Sequence, residues 1–270
     1  MIPLYDINPH RRFPWVTVLL ILANVGILAS QGSGPSLATV YQFGLIPKRV
    51  SEVGSGKKVL VRVPVVDRRG EPIPGRPPLI QQLSTSPVDV YPTFITTMFL
   101  HGNWLHLIMN MWMLWIFGNN IEDRLGRFMF ICYYLLGGMV GSVCQWSIDP
   151  QLDVPVIGAS GAVAAVLGGY AITFPKVAVK TLIFIGIPLF VNLPALVVLG
   201  VWFLVQLLFG FRMMGDDEGP AVAYWAHIGG FVAGIVLMPF LTLGASPADA
   251  DWKREAQQMF QFDDPRSPSE

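Results

Sequence analysis

The sequence predicts an all-α membrane protein with six spanning helices. Three observations carry the prediction. Hydrophobic residues make up 53% of the 270 residues and charged residues only 13%, mean hydropathy is +0.52, and the apolar residues gather into six long runs. Soluble domains carry roughly 25% charged residues. A net charge of zero speaks against nucleic acid as a partner and leaves the lipid bilayer as the expected surroundings.

The first run covers residues 14–30. Arg11-Arg12 before it gives it the look of a secretory or twin-arginine signal. No clean small-residue cleavage site follows and more apolar runs come after, so an uncleaved anchor is expected. The second run, 104–117, attains the roughly 20 residues of a spanning helix if it begins back near Phe94. The third, 128–148, holds Cys132 and Cys144, which a helix would separate by roughly 18 Å, beyond disulfide reach. The fourth, 156–174, stops at Pro175; counted from Gly158 it is about 25 Å long, slightly short, so one end is expected below the membrane surface. The piece 177–190 holds Pro188 and is too short to span. It reads as a partly buried connection, or as an extension of the fifth run, 193–211. The sixth is 221–243.

Six spans put both termini on one side. Short loops are the best guide to orientation. With the N-terminus inside, Arg11, Arg12, Arg124, Arg127, Lys176, Lys180, Lys253, Arg254 and Arg266 are cytoplasmic, and the short outer segments keep only Arg212. The long first loop, 31–93, brings eight basic residues to the outside and levels the full count. The short loops predict both termini in the cytoplasm; the expected location is a bacterial inner membrane. The chain thus divides into a tail at 1–13, a membrane domain at 14–244 and a polar tail at 245–270, where 252–260 has the pattern of a short surface helix. Within the first loop, "KKVLVRVPVVDRRGEPIPG" alternates β-branched and charged residues and turns at Arg69-Gly70, the pattern of a small β-hairpin; "EPIPGRPP" reads as extended or irregular.

Ionisable residues inside membrane segments are rare and usually functional. His10 lies in the tail, but His101, His106 and His227 all fall at or inside apolar runs, with Asn110 one turn after His106. Spans two, four and six enter from the same face. His106 and Asn110 lie early in span two, Ser160 in the first turn of span four, and His227 about seven residues, or roughly 10 Å, into span six. Three helices therefore bring polar residues to similar depth. Gly161, Ala165 and Gly168 on helix four, Gly230 and Gly234 on helix six, and Gly137 and Gly141 on helix three allow close backbone approach. Packed through these faces, Ser160 and His227 can meet.

Ser160 taken alone reads equally well as a small residue at a helix contact. Beside His227 it gains a base, which a serine hydroxyl needs to become a nucleophile. No acidic residue lies near His227 in sequence, so this is a dyad. His106 and Asn110 share a helix face and can donate hydrogen bonds to a developing oxyanion, as can the Ser160 amide at the helix start. A metal site from His101, His106 and His227 lacks the H-E-x-x-H pattern, and a transporter would show two related halves with broken helices. Glu122, Asp123 and Arg124 are expected to anchor a helix end or turn.

The motifs "HGNWLHLIMN" (101–110), "GASGA" (158–162) and "AHIGGFVAG" (226–234), in that order and with "EDRLG" at 122–126, resemble the rhomboid family of intramembrane serine proteases. The resemblance implies peptide-bond hydrolysis in or beside the bilayer, on single-span membrane proteins, without metal or cofactor. It implies Ser160 as nucleophile, His227 as base, His106 and Asn110 as the oxyanion-stabilising pair, and His101 as a further histidine at the active-site mouth. The other reading is an inactive rhomboid-like protein that binds transmembrane helices; such relatives usually lack the serine or the histidine. Oligomeric state is not readable. The chain departs from many members at Pro92-Thr93, where they carry Trp-Arg, and at Ala164, where they carry an aromatic residue packed on the histidine.

Overall fold

Each of the six apolar runs forms a helix: α1 (Trp15–Ser30), α2 (Trp104–Leu125), α3 (Arg127–Ile148), α4 (Ser160–Thr173), α5 (Ala195–Arg212) and α6 (Tyr224–Leu241). The computed structural model describes residues 1–31, 36–65, 73–212, 214 and 222–242. The polar C-terminal tail, the Arg69-Gly70 turn and the "GDDEGP" segment before α6 lie outside the described residues. Among the described helices, α3, α5 and α6 are long and apolar enough to cross a membrane, while α1 and α4 are shorter apolar helices.

Helix ends depart from the sequence expectation for local reasons. α2 starts at Trp104, not near Phe94, because the Asn103 side chain caps it by accepting the His106 N–H at 2.8 Å. It gains its length at the other end, running past Phe117 to Leu125. Gly126 then turns the chain at φ +77°, a conformation glycine adopts without strain, and α3 begins at the next residue. α4 is 14 residues long, roughly 21 Å, because 156–159 form an extended, pinned approach rather than helix. α6 starts at Tyr224, so His227 is its fourth residue.

The acidic pair in the last turn of α2 anchors a helix end, as expected. The Glu122 carboxylate accepts from Val16 N–H (2.9 Å), Thr17 N–H (2.7 Å) and Thr17 Oγ1 (2.8 Å), satisfying donors that the first turn of α1 leaves open. Asp123 accepts the Arg11 N–H at 3.0 Å.

The all-α expectation fails in the connections. The apolar piece after α4 does not extend α5: it is a partly buried connection, folded as β4 (Ala178–Phe184) and β5 (Pro188–Pro194), turned at Gly186 with φ +87°. With β1 (Ile2–Asp6) they build an antiparallel sheet ordered β1-β4-β5. The Trp112 indole donates to Pro3 O at 2.7 Å and Asn120 donates to Asp6 at 2.8 Å, so β1 runs along α2. The first loop does hold a hairpin-like pair, β2 (Val59–Val63) and β3 (Leu79–Leu83), but the partner strand lies beyond the proline-rich stretch rather than directly after the turn. Val59, Val61 and Val63 alternate inward onto Tyr41, Ile46 and Leu83, a small apolar core separate from that of the helices.

The helix bundle exposes many large apolar side chains on its outer faces and buries a stretch of small residues, with Phe117, Phe130, Tyr133, Tyr134 and Tyr170, inside. Leu105, Leu204, Leu208 and Phe211 are exposed, whereas the α4 stretch from Gly161 to Ala171 is buried throughout. In lipid, helices associate through close backbone packing of small residues, and α3, α4 and α6 do so here. A Cβ added at Gly230 would collide with the Gly161 carbonyl, one at Gly234 with Ala165, and one at Gly137 with the Ala165 side chain. Tyr133 on α3 locks this contact: its hydroxyl lies 2.7 Å from Ala165 O and 3.0 Å from Gly234 O, bridging α4 and α6.

Candidate active site

Ser160 is the first residue of α4, and the chain leading to it is held from several sides. Val156 and Leu45 exchange backbone hydrogen bonds at 2.7 and 3.1 Å. The Thr97 hydroxyl donates to Val156 O, and Gly158 N–H donates to Thr97 O at 3.0 Å. Ala159 N–H donates to the His101 Nε2 at 3.4 Å. Gly158 has φ +127°, where a side chain is strained. A Cβ there would lie 2.8 Å from the His106 Cε1 and Nε2 atoms and 3.6 Å from the Ser160 Oγ. Glycine at this position thus brings the His106 imidazole and the Ser160 hydroxyl to the same small space.

The α4–α6 contact supplies the other partner. A Cβ on Gly161 would lie 3.5 Å from the Ala226 carbonyl, so the residue after Ser160 packs against the residue before His227. Gln145 of α3, almost fully buried, accepts the Ala226 N–H at 3.3 Å and fixes the start of α6. Asn110 donates one amide hydrogen to the His106 carbonyl at 3.0 Å, which leaves its second hydrogen available. His101 is buried, 1% exposed. It packs edge-on against His106 at 5.1 Å between ring centroids and sits beneath the approach to Ser160.

A narrow crevice reaches Ser160 between α3, α4 and α6, lined by Thr97, Met98, Ser142, Gly158 and Ala226. Among the described residues, no three His, Cys, Asp or Glu side chains gather as metal ligands.

Two residues near His227 escaped the sequence reading. The His227 Nδ1 lies 2.8 Å from the Gln206 Oε1, and the Trp202 ring lies 5.9 Å from the imidazole at 33°. Both come from α5, four residues apart and hence on one face. They meet the ring from the α5 side, and Tyr224, one turn earlier on α6, lies edge-on to it at 6.4 Å. A signal was present in the sequence: Gln206 is the single amide side chain in the apolar stretch 195–212.

Related proteins place this arrangement in a family. The chain is 29% identical over 163 residues to the rhomboid protease GluP of Bacillus subtilis, covering 59% of this chain and 27% of that protein. It is 28% identical over 233 residues to RHOMBOID-like protein 4 of Arabidopsis thaliana, covering 83% and 52%. It is 28% identical over 145 residues to the mitochondrial presenilin-associated rhomboid-like protein A of Danio rerio, covering 52% and 35%. The matches span a quarter to about half of these relatives' own length. The Rhomboid domain model matches residues 89–243, more than half of the chain and all of the segment from the first loop's end through α6: the protein belongs to the rhomboid family.

Proposed function

We propose that this protein is an intramembrane serine endopeptidase that cuts single-span membrane proteins with a Ser160–His227 dyad. The observation that carries the reading is the close α4–α6 contact at Gly161, Ala226 and Gly230, which sets Ser160 and His227 on adjoining helix starts. In this reading His227 takes the Ser160 Oγ proton as Oγ attacks the scissile carbonyl carbon. The electron pair moves to the carbonyl oxygen, where His106, the free Asn110 hydrogen and the Ser160 N–H can donate. Collapse of the intermediate expels the amine, which takes the proton from His227, and water then releases the acyl group. His101 supports the approach strand through Ala159.

All six helices span in this proposal, with both termini cytoplasmic, in a bacterial inner membrane. The short α4 then starts below the outer surface, so that Ser160 meets its substrate within the bilayer. GluP carries the name of a rhomboid protease, which supports the same chemistry here. The test is covalent labelling of the full-length protein in detergent with a fluorophosphonate, mapped by peptide mass spectrometry. Modification at Ser160, absent from His227→Ala, is expected. A folded protein that takes no label at Ser160 contradicts the dyad and favours a helix-binding protein without hydrolytic activity.

A further inference from the structure

We infer that Gln206 is a positioning residue for His227, holding its imidazole with the proton on Nδ1 and the lone pair on Nε2. The inference deepens the protease reading and rests on it for its consequence, though not for its geometry. A neutral imidazole has one donor nitrogen and one acceptor nitrogen, and the neighbour of either nitrogen decides which is which. The neighbour of Nδ1 is the Gln206 Oε1, at 2.8 Å. The orientation of that amide follows from its other end: Nε2 points back to the Trp202 carbonyl one turn earlier, at 3.5 Å. With the amide nitrogen on its own helix, the oxygen faces the ring. An amide oxygen only accepts, so Nδ1 carries the hydrogen and Nε2 is left as the base.

The surroundings favour this role over simple packing. Gln206 and His227 are both buried, at 8% and 9% exposure, and Gln206 lies on a helix whose outer side is Leu204, Leu208 and Phe211. A polar side chain in such a helix is costly unless it is bonded within the protein. Trp202 adds the flat wall beside the ring, on the side of α5. An amide also suits the medium: it orients the base without a second charge in the bilayer. When His227 takes the Ser160 proton, the Oγ–H bond breaks and the Nε2–H bond forms. The Nδ1–H bond to Gln206 persists: His227 gains the one proton at Nε2, and the Gln206 amide neither gains nor loses one.

The experiment is nitrogen NMR of the full-length protein labelled with ¹⁵N-histidine, the His227 signals being those lost in His227→Ala. Wild type is expected to show a protonated Nδ1 and an unprotonated Nε2. Gln206→Leu is expected to shift the ring towards the opposite tautomer and to lower kcat about 10- to 100-fold, by analogy with the loss of groups that orient metal-ligating histidines, with KM little changed. Gln206→Glu, which keeps an acceptor at the same reach, is expected to retain the wild-type tautomer. A wild-type signal with unprotonated Nδ1 overturns the inference whatever the activity, as does a Gln206→Leu protein with unchanged tautomer and kcat. A protein with the expected tautomer whose Ser160 resists fluorophosphonate overturns the protease reading instead, and leaves the Gln206–His227 pairing standing.

Discussion

Gly230→Ala is the sharpest perturbation of the α4–α6 contact. The new Cβ would collide with the Gly161 carbonyl oxygen, sit 3.0 Å from its carbon and 3.3 Å from the Ala164 Cβ. The obstructing atoms are mostly backbone, so no side chain can swing aside. Restoring ordinary carbon contacts of about 3.5–4.0 Å requires the two helices to part by roughly 1 Å, and Gly161 follows Ser160 directly. A displacement of that size between reacting groups costs about 10²-fold in rate. Overpacking adds about 1–3 kcal/mol of destabilisation, only partly offset by the better helix propensity of alanine, about 1 kcal/mol. Gly200→Ala is the matched control, because nothing lies within 4 Å of a Cβ there. The assay is the rate of single-span reporter cleavage by each variant, with thermal unfolding measured in the same detergent. Gly230→Ala is expected to be folded, slow and less stable, and Gly200→Ala to cleave at the wild-type rate and to be no less stable than wild type. A Gly230→Ala protein that cleaves at the wild-type rate refutes the reasoning that this contact sets the site.

Glu122→Ala removes the acceptor of three hydrogen bonds at the start of α1 and is expected to lower stability by about 2 kcal/mol, read as a fall in Tm, with Glu122→Gln intermediate. Tyr133→Phe leaves the Ala165 and Gly234 carbonyls without their shared hydroxyl. The expected loss is about 1–2 kcal/mol, and no change in Tm would show that the bridge adds nothing to helix association. Burial raises the Asp6 carboxyl to a pKa of about 7, against the hydrogen bonds from Tyr170 and its own backbone, which lower it. The fold therefore favours the protonated acid. Its contribution to stability is complete below the unfolded value of 3.8 and is lost as pH rises through about 7. Stability measured from pH 4 to 8 should fall with this profile in wild type, and Asp6→Asn should flatten it; an equal slope in both would remove Asp6 as its source.

The six helices were legible because each signal was local: a long apolar run, closed by Pro175 or by the glycine turn at Gly126. The small-residue faces of α3, α4 and α6 were legible too, since in lipid a glycine or alanine stripe has few uses besides close packing. The sheet was not. β4 and β5 read as an apolar piece with a proline, and their order depends on β1, which comes from the far end of the chain. Pairing across such a separation leaves no periodic mark in either segment. The same holds in the site. Ser160, His227, His106 and Asn110 stand out as polar residues in motifs, but the hydrogen bonds of His101 to Ala159 and of Gln206 to His227 join elements 58 and 21 residues apart. Ala164 marked the absence of the family's aromatic residue; only the packing of α5 shows Trp202 and Gln206 beside the ring.

The most direct measurement is cleavage of a single-span reporter by the full-length protein reconstituted in proteoliposomes, comparing wild type with Ser160→Ala and His227→Ala. The account predicts cleavage within or beside the reporter's membrane segment by wild type, and none above background by either folded variant. Cleavage that persists in Ser160→Ala, or a reporter left intact by wild type, would contradict it.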